Sequence, residues 1–513
     1  MSETPIPSDG KAPATRQMPY ESIRPSPPHA ARRPRRASLY PLELRLTIIG
    51  AVAAAIALAT QDWSIAVAVF FLFALVGASW RVDMVPIIPA CIAYQWVSAC
   101  AGYIFLHNVG YLPGRFFSEN LQFTMLLSIS GLAMVTLGLR LGMYTCRNWI
   151  LPKTFEGVSD YNLQRLFSLT LVAFAASYAV DIAPRAIWFG GAQIIESLLT
   201  LRFVPYFMLL VAVFDRRRDY RYFTLATAWV ILPQLLTGFS DFKEIIFVIL
   251  IAVLARWRPW IRTPQQAREN WRILIFAAVG AATLLYMGMA WNGGIKQEWR
   301  NRIWNGVIST SPIERMGKFF EVAGGVTSHL DMAAASDTLV ARLTSGEVFF
   351  SEVTDRVPST LPHEHGTLLW RAVSNAITPR FLFPEKASLG GDSWLVRKYA
   401  GQAVAGDESG ASIGLGYMAE FYIDFGIAGV LGLSILWGFI GGAGIGILAR
   451  AAPSREFFLA LIIVLLTQFF MAFDGSFIKL LAGFLQRTAI SFGVFAVCGP
   501  SIHRWLTRQR KTV

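Results

Sequence analysis

Charge is scarce in this chain. Asp, Glu, Lys and Arg make up 15% of its 513 residues, where a soluble domain carries about a quarter. With a mean hydropathy of +0.47, that scarcity excludes a soluble enzyme and a disordered scaffold. Cysteine is equally sparse: Cys91, Cys100, Cys146 and Cys498 are the whole set. Three lie in or at apolar runs and Cys146 follows one, so a disulfide framework and a CxxC metal pairing are both absent, and the four read as small packing residues. There is no P-loop, no GxSxG, no HExxH and no aspartate cluster of the kind that holds a metal–nucleotide sugar. Short alternating segments of the β-barrel type are missing too.

What is present is apolar length. Several runs approach or exceed the roughly 18 residues that mark a membrane-spanning helix. The spacing predicts an all-α polytopic membrane protein with about 12 spans, at 44–60, 63–80, 84–106, 121–143, 163–183, 198–214, 223–239, 244–257, 271–291, 416–449, 456–473 and 477–500. The net charge of +13 is not a nucleic-acid footprint. The polar stretch from Trp291 to Ser412 holds 12 Lys and Arg against 13 Asp and Glu, so the excess lies in short loops, where it sets topology. Placing both termini inside puts Arg216–Arg218, Arg256, Arg268, Arg272, Arg450 and the C-terminal basic residues on the cytoplasmic face. The loops left outside are poor in Lys and Arg. Residues 1–40, rich in Pro, Ser and Arg, read as a disordered cytoplasmic tail that touches membrane lipid through Arg32, Arg33, Arg35 and Arg36. The first apolar run comes too late for a cleaved leader. Residues 41–291 then carry spans one to nine, 292–412 an external loop, 413–500 the last three spans and 501–513 a second basic tail.

The external loop has helix signals of its own. Ser311-Pro312-Ile313-Glu314 is a capping box with Pro at the first helical position. Further helical patterns run over Asp331–Leu343 and Leu368–Ile377, and prolines and glycines break the chain between them. A helical lid resting on the outer face of the membrane is the expectation. Downstream, Gly438, Gly442 and Gly446 form a GxxxGxxxG ridge that admits another helix closely, either within this chain or in a homodimer.

Polar groups concentrate where this loop meets span ten. Glu420 and Asp424, four apart, share a helix face, and ionisable groups at a membrane boundary are functional candidates. Glu420 is suited to deprotonate an acceptor hydroxyl, with a structural ion pair to a loop arginine as the alternative. Arg371 and Arg380 are suited to grip phosphate oxygens. His363 and His365 flank Glu364 in a Pro-bounded turn. A third metal ligand is not evident, so they read as a surface turn with weak acid–base capacity and no metal. Lys479 and Arg487, eight apart on one helical face, line a groove for an anionic lipid headgroup, snorkelling being the alternative for Lys479.

The run TPRFLFPEK (378–386) and the later GYMAEFYIDFGIAGV (416–430) resemble the Wzy-type polymerases of bacterial O-antigen and exopolysaccharide. Pro379, Arg380, Pro384 and Lys386 match the first family element. Glu420, Tyr422, Phe425, Gly426 and Gly429 match the second, with Ala419 where members often carry Gly. The resemblance implies a fold similar to membrane-embedded C-type glycosyltransferases in a bacterial inner membrane, with the large loop periplasmic. It implies metal-independent, cofactor-free transfer between a polyprenyl-diphosphate-linked oligosaccharide donor and a second lipid-linked repeat, with a chain-length regulator as the protein partner it allows for. Arg380, Arg371 and Lys386 would then hold the diphosphate, Glu420 would activate the acceptor, and Tyr417 and Tyr422 would contact substrate; His363 and His365 are further substrate-contact candidates, read from their turn and not from the family elements. Two rivals stand beside this reading. An O-antigen ligase-like transferase would share the loop, and a non-enzymatic lipid-glycan flippase or transporter would place its charge at mid-membrane.

Overall fold

The computed structural model describes residues 40–80, 86–112, 119–146, 161–182, 192–216, 219–235, 242–257, 263–304, 312–378, 383, 391–406, 412–469 and 473–507. Every regular element among them is helical. The first nine helices are α1 (Tyr40–Thr60), α2 (Trp63–Ser79), α3 (Ile87–Val109), α4 (Leu121–Thr145), α5 (Leu163–Ile182), α6 (Ala192–Leu199), α7 (Phe203–Arg216), α8 (Tyr220–Leu235) and α9 (Phe242–Leu254). Then come α10 (Pro264–Ala290), α11 (Lys296–Trp304), α12 (Pro312–Ser328), α13 (Met332–Arg356) and α14 (Thr367–Ile377). The last four are α15 (Tyr417–Ala451), α16 (Arg455–Phe469), α17 (Phe477–Val497) and α18 (Gly499–Thr507).

Among the described residues eight helical stretches are long and apolar enough to cross a bilayer: Glu43–Thr60, Ile87–Val109, Leu121–Thr145, Leu163–Val180, Ile194–Arg216, Pro264–Trp299, Tyr417–Ala451 and Phe477–Val497. This is the build of a polytopic α-helical membrane protein. The other four predicted spans are helices of 17, 16, 13 and 15 residues, namely α2, α8, α9 and α16. Burial separates centre from rim. The apolar windows of α1 and α10 are 6% and 11% buried, so both turn their side chains outward, whereas that of α4 is 61% buried.

The centre is a helix pair held backbone to backbone. A Cβ on Gly438 would lie 2.0 Å from the Val135 carbonyl oxygen, and one on Gly442 2.3 Å from that of Leu139. Reciprocally, a Cβ on Gly138 would lie 2.0 Å from the Ile435 oxygen and one on Gly142 2.3 Å from that of Phe439. The glycine ridge therefore packs inside this chain, against a matching ridge on α4. Contacts advance together along both helices, so α4 and α15 run parallel and both begin on the same side. At the starting end of α4, Asp62 accepts from Tyr103 Oη at 2.6 Å and Gln122 Nε2 at 3.1 Å, joining α2, α3 and α4.

The predicted loop is more deeply built in than a resting lid. Asp331 caps α13, accepting from the N–H groups of Ala333 (2.9 Å) and Ala334 (3.2 Å). The helix then continues past the expected end at Leu343 to Arg356. It continues because Thr344–Thr354 are all buried, packed against α3 and α4. Phe349, Phe350, Val353, Leu368, Val396 and Tyr399 belong to the same apolar core as the bundle. Before α13, a separate small core gathers Trp299, Phe319 and Val322. Residues 1–39, and with them the predicted basic tail, lie outside the described residues, as do residues 508–513; the first part of the predicted C-terminal tail is helical, in α18.

Leucine at position 438 has to force a pair of backbones apart, so Gly438→Leu is expected to destabilise the protein beyond the about 1–3 kcal/mol of an ordinary overpacked site. Thermal melting of detergent-purified protein checks this, with Gly432→Ala as control, since a Cβ at Gly432 meets nothing within 4 Å.

Candidate functional site

An uninterrupted helix gives each carbonyl to the N–H four residues on. In α15 that ladder is cut at Phe425 (φ −141°, ψ 15°) and Gly426 (φ 62°, ψ −147°). The second geometry belongs to glycine alone. The cut divides α15 into an outer limb, 417–424, and an inner limb, and it frees carbonyls at the end of the outer limb. The turn His363-Glu364-His365-Gly366 supplies the missing donors. Glu364 N–H donates to the Ile423 oxygen at 3.0 Å and His365 N–H to the Asp424 oxygen at 3.1 Å. His363 Nδ1 lies 3.1 Å from the Tyr422 oxygen and 3.2 Å from that of Ile423. Both partners are carbonyls, so Nδ1 carries a proton and donates.

The outer limb returns the service. The Asp424 carboxylate accepts from Leu368 N–H at 3.1 Å and Leu369 N–H at 2.7 Å, capping the first turn of α14. Glycines shape the joint: a Cβ on Gly429 would lie 2.2 Å from the Phe421 oxygen, and one on Gly366 2.9 Å from Phe425 Cζ. Phe425, Gly426 and Gly429 of the second sequence element are thus the residues of the break itself.

Around the joint, Glu364 accepts from Lys398 Nζ at 2.9 Å and from the Tyr399 hydroxyl. Tyr399, then Lys398, hold the Glu364 carboxyl below the usual carboxylate range. Burial, then Glu364, push the Tyr399 hydroxyl up to about 12. Lys398 Nζ also stands 4.5 Å from the Tyr399 ring centre. The Tyr422 ring packs on His363 at 5.9 Å and on Phe350 at 5.8 Å. His365 is exposed, in the left-handed region at φ 49°.

Glu420 is buried at 4% exposure. Its Oε2 accepts from Phe477 N–H at 3.2 Å, at the start of α17. Its Oε1 is buried, with the Ser476 side chain beside the carboxylate. The ion pair to a loop arginine weighed from the sequence is absent among the described residues. Lys479 does not snorkel free: it pairs with Asp392 Oδ2 at 2.7 Å and donates to Ser412 Oγ at 2.7 Å, stapling the loop to α17. Arg487 lies further along α17, about 12 Å from Lys479 by helical rise, and the acidic groups that act on it are Glu244 and Glu196. The predicted pairing of Lys479 and Arg487 in one groove therefore divides into two environments. Tyr417 is fully buried and donates to Gln95 Oε1 on α3 at 2.9 Å. Arg371, on the exposed side of α14, stacks on the Trp394 ring at 5.0 Å and forms no ion pair among the described residues. Arg380 and Lys386 lie outside the described residues.

Sequence reasoning missed Glu347. Its carboxylate accepts from Gly102 N–H at 2.8 Å and Tyr103 N–H at 3.2 Å. A Cβ on residue 102 would lie 2.7 Å from Glu347 Oε2, so Gly102 is the notch that admits it. A lone Glu in a helix carries no signal of such a partner. Among the described residues no group of three His, Cys, Asp or Glu is placed to hold a metal ion. Chemically, the joint offers, among the described residues, one imidazole, one buried carboxylate that takes a single backbone N–H, and one guanidinium without an ion pair. Comparison with protein-family models, with curated proteins and with solved structures finds no match.

Two outcomes are expected. Gly426→Ala forces a side chain into a left-handed conformation at the joint and lowers the melting temperature. Glu364 is held below its unfolded value, ordinarily about 4.3. Its contribution is therefore complete at neutral pH and is lost as pH falls through the depressed folded value. Glu364→Gln melts lower than wild type at pH 7, and the gap closes on acidification to pH 3. A gap independent of pH removes the Lys398–Tyr399 contacts as its origin.

Proposed function

We propose that this chain is a polysaccharide polymerase of a bacterial inner membrane, joining polyprenyl-diphosphate-linked oligosaccharide repeats on the periplasmic face. In this reading the chain crosses the membrane twelve times with both termini cytoplasmic, in a fold of the C-type glycosyltransferase kind. The observation that carries it is the joint. Glu420, Tyr422, Phe425, Gly426 and Gly429, the residues shared with the polymerase element, gather at one broken helix. The 363–366 turn docks there, and Arg371 stands one turn from the cap that Asp424 provides.

The chemistry follows from charge. An acceptor hydroxyl oxygen attacks the anomeric carbon of the donor, and the bond from that carbon to the diphosphate oxygen breaks. The electron pair leaves with the polyprenyl diphosphate. Guanidinium groups stabilise that developing charge without a nucleotide site; Arg371 and Arg380 take this role, with Lys386 beside them. The hydroxyl proton passes to Glu420, whose Oε1 takes no backbone N–H, while His363 Nε2 is the second acceptor within the joint. Holding two bulky glycans together is a proximity effect, and the ordered mass between α13 and α15 is suited to it.

Glu420→Gln keeps an oxygen for Phe477 N–H while removing the base. His363→Asn keeps a donor near the Nδ1 position while removing Nε2. In proteoliposomes supplied with lipid-diphosphate repeats, Glu420→Gln and Arg380→Ala are expected to abolish the polymer ladder on a gel while protein abundance holds. Full-length chains from Glu420→Gln with none from His363→Asn would move the base to the imidazole. Normal ladders from Glu420→Gln, His363→Asn and Arg380→Ala alike overturn the reading. Transfer only to an acceptor that is not a lipid-linked repeat identifies a ligase, and lipid-linked repeats stranded in the inner leaflet of a deletion strain identify a flippase.

A further inference from the structure

At the opposite end of the bundle lies a cavity of about 420 Å³, within the size range of small-molecule sites. It opens where α7 and α9 end and where α8 and α10 begin, on the face where the short loops carry most of the Lys and Arg. α10 starts with Thr263 as cap, its hydroxyl accepting from Gln266 N–H at 3.2 Å, and Pro264 in the first turn. Its next two turns line the cavity.

The charges of the lining are unequal. Arg256 is matched: its Nη2 lies 2.5 Å from Glu269 Oε1 and its Nε 3.9 Å from Asp215 Oδ1. Arg268 and Arg272, four apart on α10 and both exposed, line the same cavity and form no ion pair or hydrogen bond among the described residues. Two guanidinium groups are therefore left over, side by side on one helix face. Beside Tyr220 and Gln265, the rest of the wall is the apolar set Phe214, Val253, Ile273 and Phe276.

The level of this cavity in the membrane is marked by a neighbour. Trp271, between the two arginines in sequence, is 65% exposed, and outward-facing tryptophans concentrate at the membrane–water interface. Beyond it α10 turns an unbroken apolar side outward: Leu274, Ile275, Phe276, Val279 and Leu285 are all exposed. Paired cations at the interface thus lead directly into a hydrocarbon-facing track along one helix.

We infer that this cavity seats the phosphate headgroup of an anionic glycerophospholipid, gripped by Arg268 and Arg272, with its acyl chains along the outward side of α10. A guanidinium pair matches phosphate oxygens with parallel hydrogen bonds, and basic pockets at the inner surface are suited to anionic headgroups. A soluble anion would use the arginines but leave the apolar wall and track idle. This inference does not depend on the proposed polymerase chemistry, which lies at the other end of the bundle.

The test uses the full-length protein in lipid nanodiscs and native mass spectrometry, with phosphatidylglycerol against phosphatidylcholine. Wild type is expected to retain phosphatidylglycerol preferentially. The R268Q/R272Q variant is expected to lose that preference by about thirtyfold, at roughly one cationic contact per arginine. Arg504→Gln, an exposed basic residue elsewhere on the chain, is expected to keep it. Inorganic phosphate at millimolar concentration is expected neither to displace the lipid nor to raise the melting temperature. Equal retention of both lipids, an unchanged double variant, an equal loss in Arg504→Gln, or displacement by inorganic phosphate each overturns the inference. Should the double variant fail to fold, R268Q and R272Q singly replace it, each expected to lose a share of the preference.

Discussion

A backbone carbonyl without a donor is costly wherever water is excluded, and the candidate site depends on how this protein meets that cost. Interrupting α15 frees carbonyls at the edge of the apolar region. The interruption persists because a distant turn brings N–H groups to those same oxygens, and because a carboxylate from the interrupted limb caps the helix that follows the turn. Each half completes the other. Neither the 363–366 turn nor the outer limb has its hydrogen bonds filled alone, so the joint forms as a unit or not at all.

Buried acids elsewhere follow the same logic. Glu347 accepts from the N–H groups of Gly102 and Tyr103, Glu420 from that of Phe477, and Asp424 from those of Leu368 and Leu369. In each case a carboxylate from one helix fastens the backbone of another. This division of labour bears on mechanism. Asp424 has both oxygens engaged in this way, and Glu420 only one. The cations divide similarly: Lys398 and Lys479 are tied to Glu364 and Asp392, whereas Arg371, among the described residues, stacks on Trp394 and forms no ion pair.

Much of the architecture was legible in the chain because hydropathy and glycine spacing act locally. The long helices, the glycine ridge, the start of α13 at its Asp cap and the position of α14 all follow from nearby residues. The length of α13 did not, because its second half is buried by α3 and α4, whose approach no local pattern announces. At the site, Glu420 and Asp424 were rightly placed on one face. Their partners were not foreseeable, since a backbone N–H freed at a helix start leaves no mark in the side-chain sequence. The pairing of Lys479 with Asp392 and the embrace of Glu347 by Gly102 joined residues far apart along the chain, beyond any motif.

The parallel seam between α4 and α15 has a consequence for how the molecule is made. Gly138 and Gly438 are 300 positions apart (438 − 138). At about 5–20 residues per second, a ribosome needs roughly 15–60 s to deliver the second after the first. Throughout that interval the notched flank of α4 lacks the backbone it packs against in the finished fold. The newborn chain has to keep a place open at its centre until nearly the end of synthesis, and the last quarter of the polypeptide closes it.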